Sequence, residues 1–144
     1  MYGAETWTIK KEDENRLLVF EMMCLRKIMG VSRLDRIRNT IIRDTLGLNN
    51  TIIDKITQKR IRFFGHIQRM RNDRYPKIVI EGNVHGKRPR GRPPKRWMDT
   101  IKTDCLAITS IAAAGRMAKD RVVWHGFTMD QMARQSAPAS VPTP

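Results

Sequence analysis

Apolar side chains recur at helical spacing along the first third of the chain. Residues 13–29 carry two adjacent apolar stripes, formed by Leu17, Phe20, Cys24 and Ile28 and by Leu18, Met22, Leu25 and Met29. This pattern predicts a first helix that stops at Gly30. A shorter second helix is expected to reach Leu46, with Asn39 as its cap and Gly47 as its stop.

Residues 51–70 have the most regular pattern and predict a third helix. At about 100° per residue one broad face is apolar, formed by Ile53, Ile56, Phe63, Phe64, Ile67 and Met70. A narrow stripe beside this face is formed by Lys55, Lys59, Arg62, His66 and Arg69. Arg60 falls within the apolar face, so we expect its guanidinium to reach solvent or an acidic partner. The helix thus has one face for a core and one for an anion.

The rest of the chain predicts a basic loop followed by further helices. Residues 71–93 are interrupted by proline and glycine and are expected to be mostly irregular, apart from a strand or helical turn at residues 78–80. A fourth helix from about Pro94 should bury Trp97, Ile101, Cys105 and Ile108. A last helical segment or pair over residues 111–132 should direct Val123, Trp124 and Phe127 inward.

These elements predict an all-α fold. Residues 1–134 are expected to form one small domain of four to six helices, interrupted by a basic loop rich in proline and glycine. Residues 135–144 are too poor in apolar side chains to pack and are expected to be a disordered tail.

Positive charge is concentrated in one part of the chain. Of the net charge of +14, residues 55–96 supply most, with 14 Lys and Arg against 2 Asp and Glu. Such a block repels itself unless a polyanion neutralises it, so RNA or DNA is the expected partner. The sequence has neither a signal peptide nor an apolar run of ~20 residues, which predicts an intracellular protein without a membrane partner. A nuclear location is expected together with the nucleic-acid partner.

Residue patterns for catalysis are missing from the sequence. Asp99 and Asp104 lie about 140° apart on a helix, so they cannot share a metal ion and are expected on its solvated surface. Cys24 and Cys105 are far apart and lack a Cys-x-x-Cys spacing, which indicates two buried thiols. We therefore predict a chain that is not an enzyme and has no metal, no cofactor and no small-molecule substrate.

The loop GKRPRGRPPKRW at residues 86–97 is the densest basic stretch. Its segment 89–93 resembles the core of an AT-hook, in which glycine permits close approach to a narrow A·T minor groove and arginines enter it. General phosphate contact and a solvated loop or nuclear localisation signal are the alternatives. The candidate binding residues are Lys87, Arg88, Arg90, Gly91, Arg92, Lys95 and Arg96 of the loop, with Lys55, Lys59, Arg62 and Arg69 of the third helix.

Five segments in one order carry a resemblance to a known family. They are YGAETWT, DENRLLVFEMMCLRKIMGV, RIRFFGHIQRM, GKRPRGRPPKRWMDTIKTD and AKDRVVWH. Together they resemble the region after the polymerase domain in non-LTR (LINE-like) endonuclease-reverse transcriptases of animals.

The resemblance implies a piece of a longer protein whose nuclease and polymerase motifs lie outside this chain. It implies that the helical region holds RNA or target DNA near the polymerase, with Trp7 and Trp124 as packing residues. Some lineages of the family carry a zinc knuckle in this region; this sequence has none, so no zinc is expected. A transposon relic without a function of its own is the remaining alternative.

Overall fold

The computed structural model describes residues 2–82, 90–91, 93–106 and 110–136, with side chains described up to Asp130 apart from Leu106. Over these residues the protein has a short 3₁₀ helix and α-helices only, which confirms the prediction of an all-α fold. The 3₁₀ helix is Ala4–Thr6, and the α-helices are α1 (Lys11–Ile28), α2 (Asn39–Thr45), α3 (Ile52–Gln68), α4 (Tyr75–Glu81), α5 (Trp97–Leu106), α6 (Ile111–Met117) and α7 (Arg121–Ser136).

The helix boundaries follow the sequence pattern closely in most places. Helices α1 and α2 end just before the glycines expected to stop them, and α3 lies within the predicted range. The segment at residues 78–80 is part of helix α4, and the last helical stretch is a pair divided after Met117. None of the described helices combines the length and apolar character needed to cross a membrane.

The chain forms two compact units, as far as the structure describes it. Unit 1 comprises Met1–Thr8 and Thr57–Met129, and unit 2 comprises Ile9–Ile56 and Asp130–Pro144. Each has a hydrophobic cluster of its own.

Unit 2 is built on the packing of α1 against α2. Met22, Leu25 and Ile42 are its buried residues, and Ile42 is fully enclosed. An ion pair joins the same helices, with the Arg43 guanidinium 2.5 Å from a Glu21 carboxylate oxygen. The two charged side chains are 16% and 13% exposed, so the pair is largely shielded from water.

The two stripes of α1 differ in burial, and one expectation for α2 is wrong. Phe20 and Ile28 of the first stripe are 56% and 70% exposed, while the α1–α2 cluster takes Met22, Leu25 and Met29 of the neighbouring stripe. Asn39 is the first helical residue instead of the cap, and its side-chain oxygen accepts a hydrogen bond from the Arg26 guanidinium at 2.6 Å. The cap position belongs to Arg38, which makes no side-chain capping bond.

Unit 1 holds the larger core, contributed by α3, α5, α6 and α7. Its buried members are Ile61, Phe64, Ile101, Cys105, Ala114, Ala118, Trp124 and Phe127. Trp124 packs against Phe64 and Phe127, whose ring centroids lie 5.7 and 5.0 Å from its own. The indole N–H of Trp124 donates to the Ile61 carbonyl oxygen at 3.1 Å, which satisfies the one polar atom of this buried ring.

The predicted core of unit 1 is confirmed in large part. Trp97 is partly buried at the edge of the cluster, and its indole N–H donates to the Glu5 carbonyl oxygen at 2.9 Å. Val123 is 47% exposed and Trp7 is 42% exposed, so neither packs inward as expected. Ile108 lies outside the described residues.

Arg60 finds the acidic partner that its place in the apolar face requires. Its Nε lies 2.6 Å from a carboxylate oxygen of Asp104, and the two side chains are 6% and 11% exposed. Asp104 is therefore part of a buried ion pair, not of the solvated helix surface expected for it. Asp99 does lie at the surface, 4.0 Å from the Lys102 ammonium.

Burial also sets the chemistry of Cys105. Desolvation, with a smaller contribution from the charge of Asp104, raises the pKa of its thiol to about 11. A thiol with such a pKa stays protonated and unreactive at neutral pH. The prediction of a buried thiol is confirmed for Cys105, whereas Cys24 is only partly buried.

Candidate nucleic-acid interface

The predicted cations of α3 lie at the protein surface. Lys59, Arg62 and Arg69 are exposed residues of unit 1, and Lys55 is exposed in the part of α3 that belongs to unit 2. Arg69 follows the last residue of α3, and its Nη1 donates to the Ala118 carbonyl oxygen at 2.7 Å. This bond fixes the direction of one guanidinium and leaves its other N–H groups for a second acceptor.

The basic loop is described only in part. Lys87, Arg88 and Arg92 lie outside the described residues, while Arg90, Gly91, Lys95 and Arg96 are exposed. Gly91 has a φ of +106°, a backbone conformation that residues with a side chain rarely adopt. The glycine is thus required by the path of the loop itself, in addition to any close approach to a groove.

Two cations of residues 55–96 are buried in the protein. Besides Arg60, Lys77 is buried and its ammonium donates to the Gln68 carbonyl oxygen at 2.9 Å, where α3 ends. A cation at this position satisfies an orphan carbonyl and complements the helix dipole. These two charges are not available for a polyanion.

A close crossing of α3 and α7 borders one basic concavity. Trp124 of α7 packs directly on Gly65 of α3, where a Cβ would overlap its indole ring. Arg62 lies three residues before Gly65, and Arg69 lies four residues after it. At helical spacing both share the face of Gly65, so one arginine lies on each side of the crossing. On α7 the residues beside Trp124 include Arg121 and His125.

These residues line one cleft of about 430 Å³, which we call the α3–α7 cleft. Its lining consists of Arg62, Arg69, Arg121, Val122, Trp124, His125 and Thr128. The set holds three arginines and a histidine, and no carboxylate is among the described residues that line it. Asp120 lies next to Arg121, but its carboxylate accepts the backbone N–H groups of Val122 and Val123.

A second basic cleft shares Arg69 with the first. This α3–α4 cleft has a volume of about 580 Å³ and is lined by His66, Arg69, Met70, Arg71, Arg74 and Pro76. Arg71 also forms an exposed ion pair with Asp73 at 2.9 Å, the sort of pair that contributes little to stability. The two clefts together, named the basic face below, present five arginines and two histidines.

Sequence reasoning missed part of this face. Arg121 and His125 lie outside the charge block of residues 55–96, and Arg71 and Arg74 fall in a stretch expected to be irregular. One signal could have found the α7 pair, because Arg121 and His125 are four residues apart and therefore share a helix face. No pattern in the sequence places that face next to Arg62.

Among the residues that the structure describes, no group of three or more His, Cys, Asp or Glu side chains could hold a metal ion. The arrangement suits the binding of phosphate oxygens by guanidinium groups, which are planar donors that pair well with such anions.

Comparison with known proteins links the chain to a transposon-derived protein. No family model matches the chain, and no solved structure matches it. The chain is 25% identical over 134 residues to an uncharacterized transposon-derived protein of Caenorhabditis elegans. This match covers 85% of the chain but 47% of the relative, so the chain spans about half the length of the curated relative it matches. The match supports a transposon origin.

Proposed function

We propose that the chain is a nucleic-acid-binding part of a transposon-derived reverse transcriptase, and that it binds RNA or DNA through the phosphate backbone without catalysing a reaction. The observation that carries the proposal is the basic face. It gathers five arginines around two clefts that share Arg69, with no carboxylate among the described residues that line them.

Phosphate contact is favoured over base reading by the character of these residues. Guanidinium groups neutralise phosphates and release condensed counterions, a gain that does not depend on base sequence. The exposed Arg90, Lys95 and Arg96 of the loop extend the supply of cations in unit 1. If about six groups each neutralise one phosphate of duplex DNA, log Kd should vary with log salt concentration with a slope magnitude of about 5.

The origin of the chain in a non-LTR retrotransposon is part of the same proposal. It is supported by the five family-like segments and by the transposon-derived relative, which is about twice as long. Nicking and polymerisation would belong to other regions of the longer protein. A nuclear location follows from the role, because target DNA is there.

The test is a salt series of binding to a structured RNA and to a DNA duplex. Arg62→Gln, Arg74→Gln and Arg96→Gln together remove three exposed charges from the basic face and the loop. We expect the slope for duplex DNA to fall by about 3, because each lost phosphate contact contributes about 0.9. Unchanged affinity in this variant would contradict the proposal.

A matched control removes the same charge elsewhere. Arg38→Gln, Arg116→Gln and Lys119→Gln also delete three exposed cations, none of which lines either cleft. This variant should keep the slope of the unmodified protein. An equal loss in both variants would show that net charge alone attracts the polyanion and that the basic face has no special part.

Groove reading by the loop is tested in the same assay. A·T-rich and G·C-rich duplexes of equal length are used as competitors. Backbone binding predicts equal competition by the two, since phosphates are common to both. A strong preference for the A·T-rich duplex would instead favour an AT-hook-like module centred on Gly91.

A further inference from the structure

We infer that the α3–α7 cleft is a subsite for the phosphorylated end of a single nucleic-acid strand. The inference rests on the proposed function and adds to it the kind of strand feature that this cleft selects. It is drawn from the shape of the cleft, the charges on its walls and the contact that holds its walls together.

The shape favours one nucleotide over a duplex. The cleft is concave and its volume of about 430 Å³ falls within the range of small-molecule sites, roughly 300–1,000 Å³. A duplex presents its phosphates along a convex surface, which meets exposed cations but does not enter a cleft of this size. The end of a single strand can place one nucleotide inside.

The charge favours a terminal phosphate over an internal one. A phosphomonoester carries about −1.5 to −2 charges at neutral pH, whereas an internal phosphodiester carries about −1. Arg62, Arg69 and Arg121 all line the cleft, and the described lining residues supply no negative charge to offset them. A dianionic group therefore gains more from this cleft than a phosphodiester does.

The walls are held in place before any ligand arrives. The Arg69 guanidinium is fixed on the Ala118 carbonyl oxygen, and the Trp124 ring is fixed on the Ile61 carbonyl oxygen. Because Trp124 packs on Gly65, the α3 and α7 walls are set by the core and not by surface side chains. Of the three arginines that line the cleft, Arg69 is thus held before a ligand binds, which reduces the entropy lost when it makes a contact.

An apolar surface lies beside the charges. Val122 lines the cleft and is 82% exposed, so it offers contact to the sugar or base of the terminal nucleotide. Thr128 also lines the cleft, and its hydroxyl donates to the His125 carbonyl oxygen at 2.8 Å. The cleft therefore has phosphate-binding walls with an apolar edge, as a nucleotide requires.

The experiment uses the full chain and a fluorescent single-stranded oligonucleotide prepared with a 5′-phosphate, with a 3′-phosphate and with hydroxyl groups at both ends. Affinity is measured by anisotropy at a fixed salt concentration. We expect one of the phosphorylated forms to bind about tenfold more tightly than the hydroxyl form, the equivalent of one charge-assisted contact. Equal affinity of all three forms would overturn the inference while leaving the proposed function intact.

Variants assign the preference to the cleft. Arg121→Gln should reduce the preference for the phosphorylated end to less than about twofold. The matched control Arg116→Gln, an exposed arginine outside both clefts, should retain it. Retention of the preference in the Arg121 variant, or its loss in the Arg116 variant, would overturn the assignment.

Two further outcomes distinguish a strand-end site from failure of the proposed function and from a site for free nucleotides. Failure of every oligonucleotide to bind at low salt would reject the proposed function and the cleft together. Displacement of the phosphorylated oligonucleotide by adenosine 5′-monophosphate at a concentration equal to the oligonucleotide's own Kd would assign the cleft to free nucleotides and overturn a strand-end role. We expect the mononucleotide to compete only at much higher concentration, since it lacks the backbone that the rest of the basic face binds.

Discussion

Replacement of Gly65 by alanine should destabilise unit 1 even though alanine is the better helix former. An alanine Cβ at this position would overlap the Trp124 ring at Nε1 and Cδ1 and lie 2.9 Å from Cε2. The ring cannot withdraw easily, because it is 2% exposed and packs against Phe64 and Phe127, whose ring centroids lie 5.7 and 5.0 Å from its own. The new methyl group must therefore push α3 and α7 apart.

The magnitude follows from three opposing contributions. Alanine in a helix is favoured over glycine by about 1 kcal/mol. Overpacking of a core typically costs about 1–3 kcal/mol. Displacement of Trp124 also endangers its hydrogen bond to the Ile61 carbonyl oxygen, and a buried donor left without an acceptor costs about 1–3 kcal/mol. The net expectation is a loss of about 1–5 kcal/mol, a substantial part of the ~5–15 kcal/mol of a typical domain.

Gly126→Ala provides the matched control. Gly126 also lies in a helix, but a Cβ there meets no atom within 4 Å. It should therefore show only the gain in helix propensity, about 1 kcal/mol of added stability. The two substitutions are chemically identical, so the difference between them isolates the α3–α7 crossing.

The assay is urea unfolding followed by tryptophan fluorescence. All three tryptophans, Trp7, Trp97 and Trp124, belong to unit 1, so the signal reports on that unit. We expect the midpoint to fall for Gly65→Ala and to rise for Gly126→Ala at similar m-values. If the two variants agree within about 0.5 kcal/mol, the reasoning from the crossing is refuted.

Two further predictions concern buried polar groups. Asp104→Leu leaves the Arg60 guanidinium buried without its carboxylate and should cost about 3–5 kcal/mol in urea unfolding, whereas Asp104→Leu with Arg60→Met should recover most of this loss. No recovery would contradict the ion-pair account. Because burial raises the pKa of Cys105 from 9.0 to about 11, the folded state binds its proton more tightly, so stability should fall as pH rises from about 9 to 11. Cys105→Ala should lack this component of the slope; an unchanged slope would contradict the burial argument.

Exposure of the loop residues does not by itself show that they bind nucleic acid. Arg90, Lys95 and Arg96 are exposed, as expected for charged residues of a loop rich in proline and glycine. Their part in nucleic-acid binding stays a prediction, which the salt series tests. Gly91 is more informative, because its positive φ gives a structural reason for glycine that the sequence did not offer.

Local pattern by itself determined the all-α fold, the two faces of α3 and the need of Arg60 for a partner. Helical periodicity is a property of neighbouring residues, so it survives in the sequence without knowledge of the fold. It also located most of the positive charge, since charge needs no structure to be counted.

Tertiary structure alone decided which faces meet. It selected Asp104, which is 44 residues from Arg60, as the partner, and it placed Arg121 across a crossing from Arg62. It also assigned Lys77 to the end of α3 instead of to the surface. The placement of Arg121 beside Arg62 depends on the closeness that Gly65 allows between α3 and α7, and such long-range packing leaves no periodic trace in either helix.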